Sequence, residues 1–264
     1  MGNLIFTTKF NKNDGLVISP KELVEMYFFG IKMVDTQGNV ISQSVIKKFI
    51  RSAQEEVEKW LNIKIQRQII REVKDYFRSD WYAWGYIRTT YPAVEARILD
   101  GFIGETKQIS YPKEWLSVRQ TNDGELYHRH IYLVPSTNAP MNHQVVFTGI
   151  TPHIALTSSP QVPNYWHIEY VTGFCNTPAD LYNFIGMLAA INIFYLMGDI
   201  ILGKPGIASQ SIGIDGLSQS NSAHNLGYGN RIKGYLQLMN GDGGKGGMKE
   251  KLYNYYKGFT VSCF

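Results

Sequence analysis

The chain has 264 residues, 44% of them hydrophobic and 13% aromatic, so it can bury the core of one elaborated domain or of two smaller ones. Its formal net charge of +4 falls well short of the dense basic clustering found in proteins that wrap nucleic acid. The two cysteines, Cys175 and Cys263, are too few for a disulfide framework or a zinc site, which favours a reducing compartment.

Two helices are predicted near the N-terminus. Ser19, Pro20 and Glu22 have the spacing of a capping box with proline at the first helical position, so we expect a helix from here to about Phe29. A longer helix follows and ends near Leu61, because apolar residues recur on one face at helical spacing. That face comprises Val45, Ile46, Phe49, Ile50, Ala53, Val57, Trp60 and Leu61.

From Ile63 onward the apolar pattern changes to a period of two, which is typical of strands. The alternation runs through Val94, Ala96 and Ile98, then through Tyr127, Arg129, Ile131 and Leu133, and again through Trp166, Ile168 and Tyr170. These segments predict a β-rich region over residues 63–172.

Aromatic residues cluster in residues 79–92, which include Trp81, Tyr82, Trp84 and Tyr86. On a loop, such side chains could stack on sugar rings or fill a pocket of a partner. In a hairpin they would close the core instead, and the sequence leaves both interpretations open. We regard these four residues as possible partner-binding aromatics.

Charged side chains are scarce in residues 131–230. Such a region cannot easily cover itself with solvated groups, so we expect much of it to be buried in its own core or against other subunits. The charged residues of this stretch are Glu169, Asp180, Asp199, Lys204 and Asp215.

Within this stretch, Thr177 and Pro178 begin a long apolar helix over residues 178–203. Its uncharged run between Asp180 and Asp199 approaches the length of a membrane span. We favour a helix packed on every side inside the protein, because polar residues interrupt the run and no basic flank sets an orientation.

No spacing of residues indicates catalysis. Residues 240–247 resemble a phosphate-binding loop, but Met239 and Gly246 stand where that motif needs glycine and Ser or Thr, so we expect a flexible link. We find no nucleophile elbow and no distinctive Cys/His pair. We therefore expect no enzymatic activity and no cofactor.

Histidines offer a weak metal-binding pattern. His128 and His130 stand two apart on one predicted strand, and His143 or His167 could complete a set of ligands. No spaced acidic or thiol partner supports such a site, so we expect ordinary surface or core histidines and no metal.

The fold class that follows is α+β. We expect a single elaborated domain over residues 1–264, with a helical core from 19–61 and 178–203, the β-rich insertion at 63–172, and an extended assembly arm and C-terminal tail over 204–264.

Four stretches carry a resemblance to a known family. They are "YPAVEARILDGFIGETKQISYPKEWLSVRQ" followed by "HRHIYLVPS", then "VPNYWHIEYVTGF", and then "PADLYNFIGMLAAINIFYLMGDIILGKPGIASQSIGIDGLSQSNSA". In order and wording they are similar to the head-tail connector (adaptor) proteins of tailed bacteriophages. The helix containing "RSAQEEVEKWLNIKI" also looks like the second helix of that family.

The resemblance implies a structural virion protein at the head-tail junction, made in the host cytoplasm. It implies a dodecameric ring that docks beneath the portal protein, carries the tail or a stopper or nozzle ring, and encloses a lumen for duplex DNA. Two alternatives are a carbohydrate- or receptor-binding β module and a stopper or tail-completion ring protein.

The segment after the long helix fits such an assembly. Its residues alternate between two faces, Ile207 and Ser209 on one and Ile212 and Ile214 on the other, as in a strand buried on both sides. Such a strand needs another chain to pair with its backbone groups. We predict a subunit interface at Ile207, Ser209, Ile212, Ile214 and Leu217; the alternative is a long surface loop.

Overall fold

The computed structural model has the α+β architecture that the sequence predicts. The chain divides into two compact units, Met1–Asn11 with Ile63–Cys175 and Lys12–Asn62 with Asn176–Phe264. The residues that the structure describes are 3–9, 15–31, 33–34, 38–77, 86–120, 127–134, 160–202, 209–214, 217–222, 227–242 and 245–257.

The first unit contains two antiparallel sheets. Its strands are β1 (Asn3–Lys9), β2 (Gln68–Phe77), β3 (Tyr86–Arg88), β4 (Glu95–Ile103), β5 (Thr106–Ser110), β6 (Leu116–Gln120), β7 (Tyr127–Leu133) and β8 (Gln161–Thr172). One sheet has the order β1-β2-β8-β4-β5 and the other β3-β7-β6. A short 3-10 helix at Lys113–Trp115 leads directly into β6.

The two sheets share one hydrophobic core. Trp166, Ile168 and Tyr170 on β8 are buried, but so are Tyr165, Glu169 and Val171, so the predicted alternation is wrong for β8, which is buried on both faces. On β7 the predicted alternation is confirmed, because Ile131 and Leu133 are buried and belong to the same core as the β8 residues. Because inward-facing side chains stand two apart on a strand, these residues meet between the sheets.

The predicted alternation is wrong at Ile98. A bulge between Ala96 and Ile98 shifts the pairing of β4 with β8 by one residue. Leu99 is therefore the buried residue, with 1% of its surface exposed, whereas Ile98 is 42% exposed. An extra residue in a strand reverses the faces of all those that follow it.

A buried carboxylate also lies between the sheets. Glu72 on β2 is 1% exposed and accepts hydrogen bonds from the Thr90 amide at 3.2 Å and the Thr90 hydroxyl at 3.1 Å. The Tyr170 hydroxyl donates to the same carboxylate, and the Lys74 ammonium lies 3.2 Å from it. Glu72 thus fixes the segment after β3 against β2 and β8, since a buried carboxylate must keep its donors.

The second unit is helical. Its helices are α1 (Pro20–Tyr27), α2 (Gln43–Leu61), α3 (Ala179–Leu202), α4 (Gly227–Asn240) and α5 (Met248–Lys257). Between α3 and α4 lie strands β9 (Ser209–Ile214) and β10 (Leu217–Ser222).

The start of α1 confirms the predicted capping box. The Ser19 hydroxyl accepts from the Glu22 amide at 3.2 Å, and the Glu22 carboxylate accepts from the Ser19 amide at 2.9 Å. These bonds lower the pKa of Glu22. The helix ends two residues before the predicted Phe29, because Phe28 is already its C-cap.

The two long helices supply the core of this unit. On α2, Ile46, Ile50, Ala53, Val57 and Leu61 are buried, as the helical spacing predicts, and Asn62 ends the helix with a left-handed φ of 52°. On α3, residues on every side of the helix are buried from Leu181 to Met197.

Helix α3 also has the length and composition of a membrane span. The stretch Ala179–Met197 has a mean hydropathy of 1.4, and 61% of it is buried within the protein. That burial favours the interpretation of α3 as a core helix.

Two short paired strands lie between α4 and α5, where we expected a flexible link. Strands β11 (Gly241–Asp242) and β12 (Lys245–Gly246) pair with each other. Gly241 has a φ of 74°, and the backbone of Lys245 lies where a Cβ at Gly241 would stand. The Gly246 amide donates to the Glu250 carboxylate at 2.6 Å. The glycines are therefore needed for a specific close approach.

Candidate assembly and binding surfaces

Four of the five residues predicted to form a subunit interface lie in a β-hairpin. Ser209, Ile212 and Ile214 are in β9, and Leu217, the first residue of β10, is opposite Ile214. Ile207 lies outside the described residues. The strand itself was predicted, but its pairing partner β10 belongs to the same chain. One edge of β9 is thus already paired without a second subunit.

The sequence contains a signal for this hairpin that the strand prediction did not use. Asp215 and Gly216 are the two residues between β9 and β10. Asp-Gly between two strands is among the strongest local signals for a two-residue hairpin turn. The antiparallel register runs without interruption from Leu217↔Ile214 to Ser222↔Ser209.

The register of the hairpin separates two kinds of residue. At alternate positions, one face receives only small residues: Ser209, Ser211, Gly213, Ser218, Ser220 and Ser222. The other face receives Gln210, Ile212, Ile214, Leu217, Gln219 and Asn221. Neither strand contains a charged residue.

Of the four candidate aromatics, Trp81, Tyr82 and Trp84 lie outside the described residues. Tyr86 is the first residue of β3 and pairs with Tyr132 on β7. Its ring meets His130 edge to face at 4.9 Å and lies 6.2 Å from the Tyr132 ring. Tyr86 is half-buried. The next residue in β3, Ile87, is buried and faces the core, so Tyr86 lies on the opposite face of the small sheet.

Basic side chains surround this aromatic group. Arg88 on β3 pairs with His130, and the Arg119 guanidinium on β6 lies 4.4 Å from the centre of the Tyr132 ring. Both arginines are exposed, and His128 is two residues from His130 on the same strand face. In the sequence, His128 and His130 offered a weak metal-binding pattern and were expected to be ordinary surface or core histidines. The arginines come from strands that the sequence could not pair.

The histidines considered as metal ligands do not form one site. His130 is in the small sheet, whereas His167 is in the large sheet and stacks on Phe102 at 4.1 Å. Burial lowers the pKa of both, with further lowering at His130 from Arg88 and His128. His143 lies outside the described residues, and within them no group of three His, Cys, Asp or Glu side chains could hold a metal.

The helical unit has a shallow groove beside Trp60. The Trp60 ring stacks on Phe184 at 5.7 Å and on Tyr253 at 6.1 Å, and the Lys249 ammonium lies 5.6 Å from its centre. A cavity of about 380 Å³ is lined by Trp60, Asn240, Lys249, Glu250 and Tyr253. These contacts hold α5 against α2 and α3, so the packing of Trp60 is structural.

No protein-family model and no curated protein matches the chain. Among solved structures, it is similar to a chain from the neck of an empty gene transfer agent (GTA) particle computed with C6 symmetry. That likeness has 14% identity and a TM-score of 0.42, and it covers 70% of this chain and 82% of the other.

Two further structures are similar. A chain from the virion of a native GTA particle has 12% identity and a TM-score of 0.44, over 70% of this chain and 82% of the other. A chain from the neck of a native GTA particle computed with C12 symmetry has 12% identity and a TM-score of 0.41, over 88% and 94%. At such identities and TM-scores, the likenesses carry no argument about function.

Proposed function

We propose that this chain is a structural protein of the neck of a tailed-phage virion, where its copies form an adaptor ring between portal and tail. The ring docks beneath the portal protein, extends the channel for duplex DNA, and provides the platform for the tail or for a stopper ring. The chain has no enzymatic role in this proposal. Its sequence resemblance to head-tail connector proteins supports the proposal, and the uncharged hairpin β9–β10 is the observation that carries it.

The hairpin β9–β10 is expected to be only marginally stable without further pairing partners. Among the described strands, β9 and β10 pair only with each other, and an isolated two-stranded hairpin is marginally stable at best in water. No described strand pairs with the outer edge of β9 or of β10, and such an edge can pair with the backbone of another chain. In a closed ring every copy has a neighbour on both sides, so each such edge can be paired.

The composition of the hairpin fits repeated interfaces of this kind. Ser and Gly on one face allow another backbone to approach closely, while Ile212, Ile214 and Leu217 on the other can be buried between copies. Because neither strand carries a charge, no ionised group loses its hydration when the interface forms.

The test is a double substitution, Ile212→Asp with Ile214→Asp, in the full chain. Two carboxylates at the interface would have to be desolvated, so we expect ring formation with the portal of the same particle to weaken at least about 10-fold. Sedimentation velocity and negative-stain imaging measure ring formation. Val40→Asp is the matched control, because Val40 is 74% exposed and lies outside the hairpin.

The control should assemble like the unsubstituted protein. Rings that form equally well from the double variant would show that the hairpin is not the interface. The free protein can be monomeric under this proposal, because the ordering of the hairpin is favourable only when partners are present.

Imaging of whole particles then assigns the level of the ring. An adaptor lies directly beneath the portal, whereas a stopper or tail-completion ring lies one level lower. If the chain instead binds glycans as an isolated protein, and loses that binding on Trp81→Ala or Trp84→Ala, it is a carbohydrate-binding module.

A further inference from the structure

The three-stranded sheet β3-β7-β6 has an outer face made of basic and aromatic side chains. Its inner face contributes Ile87 and Ile131 to the core of the sheet unit, so the alternate residues point outward. We refer to this outer face as the cationic face; its residues are Tyr86, Arg88, Arg119, His128, His130 and Tyr132.

The positive groups of the cationic face have no acidic neighbours within their own strands. The strands β3, β6 and β7 contain no Asp or Glu. After burial, the groups that lower the pKa of His130 are Arg88 and His128, as expected where cations repel one another. The fixed positive charges of the face are therefore the two arginines, Arg88 and Arg119, and these would attract a negatively charged ligand.

The arginines are positioned on opposite sides of the aromatic group. Arg88 lies on β3 and Arg119 on β6, with β7 between them, so their backbones are about 10 Å apart across two strand spacings. The guanidinium of Arg119 lies 4.4 Å from the centre of the Tyr132 ring, and this contact restrains its orientation. A guanidinium held in this way suits the oxygens of a phosphate.

The aromatic rings of the cationic face are already occupied. Arg119 lies over Tyr132, and His130 and Tyr86 meet edge to face at 4.9 Å. These contacts leave fewer ring faces open to unpaired bases than the stacking platforms of single-strand binding proteins offer. The face therefore fits the backbone of a duplex better than the bases of a single strand.

We propose that the cationic face binds the phosphate backbone of duplex DNA, with Arg88 and Arg119 as the principal contacts. The choice of DNA as the polyanion rests on the proposed place of the chain around the genome channel. Contact with phosphates alone carries no sequence information, which suits a channel through which any sequence must pass. Each copy contributes a weak contact, and a ring of copies multiplies it.

The test is a titration of a fluorescein-labelled duplex of about 20 base pairs with the full-length protein. Fluorescence anisotropy measures binding at several NaCl concentrations. Arg88→Gln and Arg119→Gln should each weaken binding about 3- to 10-fold. Each should also reduce the slope of log affinity against log salt by about one, and the double variant by about two. Arg51→Gln is the matched control, since Arg51 is exposed on α2 and loses the same charge.

Three results would overturn the proposal. The unsubstituted protein could fail to bind DNA at low salt, Arg51→Gln could weaken binding as much as the two face variants do, or polyglutamate of equal charge could compete as well as DNA. Circular dichroism of each variant shows whether its fold is retained, and either arginine variant alone suffices for the test.

The test of DNA binding can be distinguished from the test of ring formation. The double variant Ile212→Asp with Ile214→Asp leaves the cationic face intact, so its protomers should still bind the duplex with the same salt slope. Loss of ring formation with DNA binding retained would support both proposals. Retained rings with no DNA binding would overturn only the cationic face.

Discussion

Gly186 shows how one missing side chain sets the distance between two helices. It lies on α3, and the ring of Tyr27 on α1 occupies the space where a Cβ at this position would stand. Tyr27 is 7% exposed, and its hydroxyl donates to the Asn183 side chain at 3.4 Å. Burial, with Tyr182 and Tyr235 nearby, raises the pKa of Tyr27 to about 12. The ring therefore remains neutral at any physiological pH and has little room to move.

We expect Gly186→Ala to destabilise the protein by about 1–3 kcal/mol, because the methyl group would displace the Tyr27 ring. Gly234→Ala is the control of opposite sign. Gly234 lies inside α4 with nothing within 4 Å of an added Cβ, so alanine there should stabilise the protein by about 0.5–1 kcal/mol. Urea denaturation of both variants measures the two changes, and equal effects of the two substitutions would contradict the packing argument.

At the scale of the element, helices α1 and α2 both begin after a serine, but only one of these serines makes a side-chain capping hydrogen bond. Ser19 caps α1 through its hydroxyl, whereas Ser42 at the start of α2 makes no side-chain capping bond and instead contacts the Ser44 hydroxyl at 2.9 Å. We expect Ser19→Ala to lower the free energy of unfolding by about 1 kcal/mol, and Ser42→Ala to change it by a few tenths at most. Urea denaturation midpoints of the two variants measure the difference, provided that the dependence of the unfolding free energy on urea concentration is unchanged. A larger effect at Ser42 would show that helix propensity rather than capping governs these ends.

Elements whose cause is local could be predicted from the sequence. The capping box of α1, the apolar face of α2 and the alternation in β7 each depend on residues close together in the chain. The bulge in β4 could not be predicted, because it depends on the pairing with β8 more than sixty residues away. The strand pairing at Gly241 was missed for a related reason, since a Gly-rich composition does not distinguish a flexible link from a close backbone approach.

The candidate surfaces also differ in whether their cause is local in the sequence or depends on distant pairing. The strand containing Ile212 was predicted from its own alternation, and Asp215–Gly216 would also have indicated the hairpin. The cationic face could not be predicted, because Arg88 and Arg119 come together only through the register of β3 and β6 with β7. The positions of the two arginines in the sequence do not indicate that their strands both pair with β7.

At the scale of the whole molecule, the scarcity of charge in residues 131–230 has two causes. Much of β8 and α3 is buried in the cores of their own units, so those segments need no neighbouring subunit to cover them. The hairpin β9–β10 is different, because its strands are uncharged and pair only with each other among the described strands. The hairpin, and not the whole stretch, is therefore the segment that we expect to associate with other copies.

This division predicts opposite responses to salt. Ring formation through an uncharged hairpin should change little between about 50 and 200 mM NaCl and should be strengthened by sulfate, which is excluded from protein surfaces. Duplex binding through two phosphate contacts should weaken about 10-fold over the same range of NaCl, because counterions are released when the contacts form. Sedimentation velocity follows the ring and fluorescence anisotropy follows the DNA. Rings that dissociate in NaCl would mean that ion pairs hold the copies together, and the interface would then have to lie on a charged surface of the chain and not on β9–β10.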